Sequence, residues 1–378
     1  MRSRGFTLIE LLVVIVIIGI LMALLVPVVG YALKAGRVAQ VHSEIQTIGQ
    51  ALADFQTQHG AYPPSRILIV EDGDYSEANV GSNYAKLVPR SMSALRRVWP
   101  RLVLTTSGAK PSISGGFYDV NGDHVKNGPY VMFGHECLAF FLGGIPMQTK
   151  DGWALTGFGK NPLNPFTSAA EPTPPQSWPF NLDRKLPFMD FTPGHIKPTV
   201  NTTLPANAGS LVAITDALGT DQFYAYFSAY NGSGYDPDDV NFDEEDSGGT
   251  TQTVLGGIQS NNDPMGVNKT SRSDIFASPA PNPYYNDSPV PIDSSGALDL
   301  TDKRSRNFTA IKTNTFQIIS SGFDRKFGIG GQWNSNLDNP VPFFPIANGT
   351  ATGQKLDADT RTVEYDNVTN FSGGKLKQ

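Results

Sequence analysis

The sequence predicts an α+β protein in which one long N-terminal helix carries a β-rich head. Three observations predict it: an unbroken apolar run near the start, a helical apolar stripe directly after it, and a change beyond residue 62 to short aromatic and β-branched runs separated by Gly, Pro, Asn and Asp. With 38 Gly and 28 Pro in 378 residues, the composition is that of loop-rich β structure. The 22 Phe, 13 Tyr and 4 Trp supply enough apolar surface for a folded core.

Leu11 to Val26 is apolar without a break. Phe6 to Ile9 in front and Val28-Val29 behind extend it to the length of a bilayer-spanning helix. Arg2 and Arg4 precede it with no acid before Glu10, a charge bias that keeps the N-terminus cytoplasmic and sends the rest outward. A cleaved secretory signal fits less well, because Pro27-Val28-Val29-Gly30-Tyr31 follows where a small-x-small site is needed and the helical pattern continues. A simple membrane anchor leaves Glu10 unexplained, since an ionised carboxylate in lipid is costly unless it finds a partner.

Past Pro27, the residues Val38, Val41, Ile45, Ile48, Leu52 and Phe55 recur at spacings of three and four, the signature of a helix with one buried face. Lys34, Arg37, Gln40, Glu44, Gln46 and Gln50 are available to the other faces. Gly60 is the predicted C-cap, and Pro63-Pro64 forbids continuation. A single helix from Phe6 to His59 spans roughly 80 Å at 1.5 Å per residue. Gly19 and Pro27 mark where it is expected to bend or melt locally, Pro27 because it removes a backbone hydrogen bond.

In the head, the best strand candidates are Tyr130 to Phe133, Leu211 to Ile214, Phe223 to Phe227 and Thr315 to Ile319. Leu138 to Leu142 is too short and too uniformly apolar to assign. Residues 160–208 and 277–291, dense in Pro and Asn, read as surface loops. The expected arrangement is an antiparallel sheet, interrupted by long insertions, packed on the second half of the helix.

Charge and chemistry narrow the function. A net charge of −6 and a pI near 5.4 argue against a nucleic-acid partner. Cys137, the single cysteine, excludes an intrachain disulfide and a Cys-based zinc site. His135-Glu136 lacks the second histidine of a zinc-protease helix, and neither a Gly-x-Ser-x-Gly elbow nor a phosphate-binding Gly-rich loop is present. His42 and His59 fall on the helix, while His124, His135 and His195 are scattered through the head. A carboxylate pair for glycoside hydrolysis leaves no spacing rule to search for. Asp119-Val120-Asn121-Gly122-Asp123 has the alternate oxygens of a calcium loop, but His124 stands where an EF-hand needs Gly and Tyr130 where it needs Glu, so a turn is the favoured reading. Residues 198–268 hold ten acids and no Lys or Arg, with Asp236, Asp238, Asp239, Asp243, Glu244, Glu245 and Asp246 bunched together; a solvated acidic loop is favoured over a calcium or basic-partner site. Sequons such as those at Asn201 and Asn307 are taken as chance.

The segment Arg4-Gly5-Phe6-Thr7-Leu8-Ile9-Glu10-Leu11-Leu12-Val13-Val14-Ile15, with Gly19 and Pro27 downstream, resembles the cleavage and methylation signature of type IV pilins and type II secretion pseudopilins. The resemblance implies a pilin-like fold with a leader over 1–5, a transmembrane and amphipathic helix over 6–60 and an exported head over 61–378. It implies that a prepilin peptidase cuts after Gly5 and methylates Phe6, leaving 378 − 5 = 373 residues. Glu10 then neutralises the cationic N-terminus of an adjacent subunit, because breaking a buried ion pair costs roughly 3–5 kcal/mol. The implied partners are other pilin or pseudopilin subunits, the peptidase and an inner-membrane assembly platform, and the implied location is the inner membrane with the head exported. The rival readings are a membrane-mounted adhesin or binding module and an exported hydrolase.

A second similarity lies near the C-terminus. Gln317 to Gly328 and Tyr365 to Phe371 resemble two segments that bind one calcium ion in the major pseudopilin of type II secretion. The resemblance makes Asp324 and Asp366 ligands with Ser321 as a nearby oxygen donor, backbone carbonyls and water completing six to eight oxygens. Arg325 stands where that family has glycine, and about forty residues separate the two aspartates. Two ordinary surface aspartates are the alternative.

Overall fold

The computed structural model describes residues 7–81, 84, 87–167, 183–199, 211–219, 222–229, 284–285, 311–327, 331–332, 343–344, 354–355, 364–372 and 375–376. Helix α1 runs from Leu8 to His59, 52 residues without interruption through Pro27. Thr7 caps it, and Gly60 closes it in the left-handed region at φ 78°, donating its N–H to the Gln56 carbonyl at 2.7 Å. Glycine adopts that conformation without a Cβ clash, so the predicted C-cap is the observed one. The buried residues of α1 are Val41, Ile45, Ile48, Ala51, Leu52 and Phe55, the predicted stripe with Ala51 added; Val38 is half-buried at its edge.

After the helix, β1 (Arg66–Ile69) pairs antiparallel with β2 (Tyr130–Phe133), Ile67 opposite Met132. Between them lie the single turn α2 (Glu77–Val80) and α3 (Leu87–Val98). Helix α3 buries Leu87, Val88, Met92 and Leu95, and the Ser91 hydroxyl accepts the Leu68 amide at 2.9 Å, satisfying a donor at the edge of β1. Helix α4 (Gly134–Gly143) follows β2 directly, with every residue from His135 to Gly143 buried. It contains the apolar run Leu138 to Leu142. A helix that is apolar all round belongs in a core, and its lack of periodicity is the reason the sequence leaves it unassigned.

The strands beyond α4 are short. β3 (Pro146–Thr149) and β4 (Gly152–Leu155) form a hairpin, β5 (Phe158–Gly159) pairs with β6 (Arg184–Lys185), and β7 (Ile196–Pro198) with β8 (Val212–Ile214). β9 (Ala225–Ser228) joins the one three-stranded sheet among the described residues. β10 (Tyr284–Tyr285) runs parallel to a later strand. β11 (Phe316–Ser320) is the centre of the three-stranded sheet, antiparallel to β9 on one side and to β15 (Val368–Thr369) on the other. β12 (Gly331–Gln332) is the partner of β10, and β13 (Phe343–Phe344) pairs with β14 (Gln354–Lys355).

The three-stranded sheet is buried on both faces, as its alternation shows. Tyr224, Tyr226, Phe316 and Ile318 join the main core with α1 and α4, whereas Phe223, Ala225, Phe227 and Ile319 join a second cluster with Ala213, Tyr284 and Phe327. The Phe316 ring lies over Gly49 of α1, where a Cβ would stand 3.5 Å from it. The α+β class with a long apolar N-terminal helix and antiparallel sheets is thus observed. The sheet itself is divided into several small ones, because strands of two to five residues are separated by turns that the Gly and Pro content dictates.

Candidate functional site

Two regions carry residues singled out by the sequence. The first is the start of α1. Gly5 and Phe6 lie outside the described residues. Glu10 does not: its Oε2 accepts the Thr7 N–H at 2.8 Å and the Thr7 hydroxyl at 2.9 Å, and the Thr7 oxygen accepts the Glu10 amide at 3.3 Å. This reciprocal capping box satisfies two free donors of the helix end and gives the carboxylate partners within its own chain. From Leu8 to Val29 the apolar side chains stand open, and a Cβ added at Gly19 would meet nothing within 4 Å. Among the described residues α1 is the one helix long and apolar enough to cross a membrane.

The second region is built by the pairing of β11 with β15. With Ser320 opposite Val368, the loop 321–327 lies beside 364–367, so the separation in sequence between Asp324 and Asp366 disappears in space. Asp366 Oδ2 accepts the amides of Phe323 at 2.7 Å and Asp324 at 3.2 Å, and Asp324 Oδ1 accepts the Lys326 amide at 2.8 Å. Gly322, at φ 68°, is where the loops press closest, since a Cβ there would overlap the backbone and carboxylate of Asp366. Arg325 sits at φ 64°, so the backbone keeps a glycine-like conformation at the position where the resemblance calls for glycine. Ser321 is fully buried and its hydroxyl has no hydrogen-bond partner among the described residues. Burial, together with the neighbouring Asp366, pushes the Asp324 carboxyl above the usual range, against the pull of the Lys326 amide. Among the described residues no three His, Cys, Asp or Glu side chains converge as a metal-binding group.

The 119–123 segment bends back on itself through its own side chains. Asp119 accepts the amides of Asp123 at 3.1 Å and His124 at 3.2 Å, and Asp123 accepts the Val125 amide at 2.7 Å. Sequence reasoning missed Glu71, which is fully buried behind this turn and accepts the amides of Val120 and Asn127. Burial pushes its carboxyl up to about 9, opposed by those two amides and reinforced by Asp119 and Asp123. It also missed a polar joint between helix and head. Tyr224 donates its hydroxyl to Glu44 Oε2 at 2.6 Å, and His195 Nδ1 lies 3.6 Å from Glu44 Oε1. Neither contact has a local signal, because the partners are far apart in sequence. The bunched acids of 236–246, Asn201 and Asn307 lie outside the described residues.

A family model described as the prokaryotic N-terminal methylation motif matches residues 1–26. Type II secretion system core protein G of Pseudomonas aeruginosa is 42% identical over 65 residues, 17% of this chain and 46% of that protein. The chain therefore matches less than half the length of that relative. No solved structure matches the chain significantly. These likenesses bear out the resemblance drawn from Arg4 to Ile15.

Proposed function

From the premise that this is a type IV pilin- or pseudopilin-like chain at its N-terminus, we propose that it is a structural, non-enzymatic subunit of a type II secretion pseudopilus or a type IV pilus-like filament. One observation carries this reading: a continuous helix whose first half is apolar on every side and uncovered, headed by the methylation motif, and whose second half is the spine of the head. An apolar surface of that extent needs lipid first and other helices afterwards. In this reading the precursor crosses the inner membrane with its head exported, prepilin peptidase cuts after Gly5 and methylates Phe6, and an assembly platform packs the helices into a filament. Gly19 and Pro27 are the proposed points of local melting.

Glu10 is the proposed register of assembly. Its capping box lowers the cost of holding a carboxylate in lipid before any partner arrives, and the cationic N-terminus of a neighbour replaces Thr7 as its partner afterwards. The test is the mature N-terminus, read by mass spectrometry of protein purified from membranes. N-methylated Phe6 is the expected result; an intact Met1 or a cut after Pro27 overturns the reading. Glu10→Ala is expected to abolish incorporation into filaments while the melting temperature of the head stays unchanged.

Calcium is proposed at the loop pair of β11 and β15, supported by the buried hydroxyl of Ser321, unpartnered among the described residues, beside two close carboxylates. Bound there, a calcium ion would supply positive charge between Asp324 and Asp366, with Ser321 and backbone carbonyls as further oxygen donors. Asp366 already ties the two loops through its amide contacts, and Asp324 offers its remaining oxygen. A chelator is expected to lower the melting temperature of the full chain, and Asp324→Ala to remove that sensitivity. An identical melting curve with and without chelator overturns the calcium reading alone.

A further inference from the structure

Between the two halves of α1 lies a stretch that belongs neither to the apolar span nor to the core. From Tyr31 to Gln40 the helix is exposed apart from the half-buried Val38, and Val41 is its first buried residue. The stretch holds two cations, Lys34 and Arg37, while no acid occurs anywhere from Leu11 to Ser43. Neither side chain forms an ion pair or a hydrogen bond among the described residues. The helix dipole does not explain them, because both stand 22 residues or more before His59 and the dipole acts within the last turn.

Their position on the helix is as informative as their charge. Lys34 is eighteen residues before Leu52 and Arg37 eighteen before Phe55, about five turns in each case. Both therefore continue the line of the buried stripe, past the point where the head stops covering it. Cβ bonds on a helix tilt toward its N-terminus, so the two long side chains lean away from the head and toward the apolar span. Along the axis, Lys34 is 24 residues from Glu10, about 36 Å. A hydrocarbon core is about 30 Å thick, and about 40–45 Å with its headgroup layers. The two polar marks of the span thus stand one at each boundary, each about 3 Å outside the core. Tyr31, of a residue type that settles at such a boundary, is three residues nearer the core, and Arg37 is three further out. From Arg37 to Val41 is four residues, about 6 Å, so the buried part of the helix begins just beyond the headgroup layer.

We propose that Lys34 and Arg37, with Tyr31, form a collar that binds the phosphates of phospholipid headgroups in the leaflet on the head's side and fixes how deep α1 sits. The inference rests on the reading that α1 spans a membrane. Lipid is favoured over a second copy of the chain because the cations stand at headgroup height and lean toward the span that the same lipid surrounds. Arg37 can grip a phosphate through two parallel N–H donors, and Lys34 adds a compact point charge. Anionic lipid should be preferred at the collar by about fivefold for each cation.

The test uses the full chain in phosphatidylcholine vesicles carrying a trace of spin-labelled phosphatidylglycerol or spin-labelled phosphatidylcholine. Lipid held at the protein surface is read from the motionally restricted part of the electron paramagnetic resonance spectrum. The expected result is a preference for phosphatidylglycerol that falls roughly twofold or more in Lys34→Gln/Arg37→Gln, the collar's share being averaged over all the lipid around one helix. The preference should survive in Lys34→Arg/Arg37→Lys and shrink in high salt. Because both side chains are exposed, an unchanged melting temperature serves as the folding control. In a separate preparation, a nitroxide at Met22→Cys reports whether the span lies in hydrocarbon, by its accessibility to oxygen against a nickel chelate; Cys137 is buried and does not compete for the label. A Met22 label in hydrocarbon, with equal lipid preference in wild type and Lys34→Gln/Arg37→Gln, overturns the collar and leaves the membrane reading standing. A label in water in the same vesicles overturns both. A difference in preference that arises only as the protein is crowded in the bilayer assigns the cations to a second copy, and it too overturns the collar.

Discussion

The two halves of α1 have the same backbone and opposite surroundings. From Leu8 to Val29 the apolar residues occupy every side and none of the described residues covers them; from Val41 to Phe55 they occupy one stripe, buried by the sheets and by α4. The difference is in pattern rather than in hydrophobicity. Apolar residues on every side suit a solvent that is itself apolar, while a stripe at spacings of three and four suits one protein surface. One helix thus addresses two media, and the head can be perturbed from one half without the other noticing.

The sharpest way to break that comparison is to remove matter from the stripe. Phe55 packs on the rings of His59, Phe141 and Phe188, at 4.5, 5.8 and 5.2 Å. Phe55→Ala is expected to cost the head about 3–5 kcal/mol, read by denaturant titration in detergent. The counterpart in the first half is Ile17→Asp. It should leave head stability unchanged, because Ile17 stands exposed in a stretch with no buried residue, and should reduce membrane insertion by a cost of about 3 kcal/mol, read by fractionation of membranes. Equal effects of the two substitutions on head stability would mean that the halves are not separate.

Glu44 sharpens the comparison at a smaller scale, since it is the polar pin of the buried half. Glu44→Ala leaves the Tyr224 hydroxyl without its acceptor and is expected to cost about 1–3 kcal/mol, most of which Tyr224→Phe in the same chain should restore. The smallest effect is one of pH. Burial and the nearby Lys185 hold His59 below its ordinary value. The unfolded chain therefore binds a proton that the folded chain refuses, so this contribution to stability is present above about pH 6.5 and lost as pH falls below it. His59→Gln should flatten that part of the acid limb of the melting curve.

The helix and its cap were legible because they rest on local rules: a spacing repeated from Val38 to Phe55, and a glycine at the helix end, where the cap takes a positive φ. The strand candidates Tyr130 to Phe133 and Thr315 to Ile319 fall within a residue of β2 and β11 for the same reason, being short β-prone runs between breakers. Helix α4 was not legible, since burial on all sides erases the periodicity by which a helix is recognised. Nor was α3, where Pro89 and a run of arginines mask a buried face of four apolar residues. At the candidate sites, Ser321, Asp324 and Asp366 were found through a resemblance, and the structure brings their loops together. Glu71 and Glu44 carried no such mark. Their partners lie 49 to 180 residues away, a separation that only the finished fold closes.

Complete burial of α4 also settles the fate of the lone thiol. Cys137 is inside that helix and has no exposed surface. Outside the cytoplasm, where the head is proposed to lie, an exposed unpaired cysteine would be open to oxidation or to disulfide exchange with a thiol of a neighbouring chain. Burial of the sulfur shields it from both reactions, and in a filament of the proposed kind would keep neighbouring copies from being cross-linked through it.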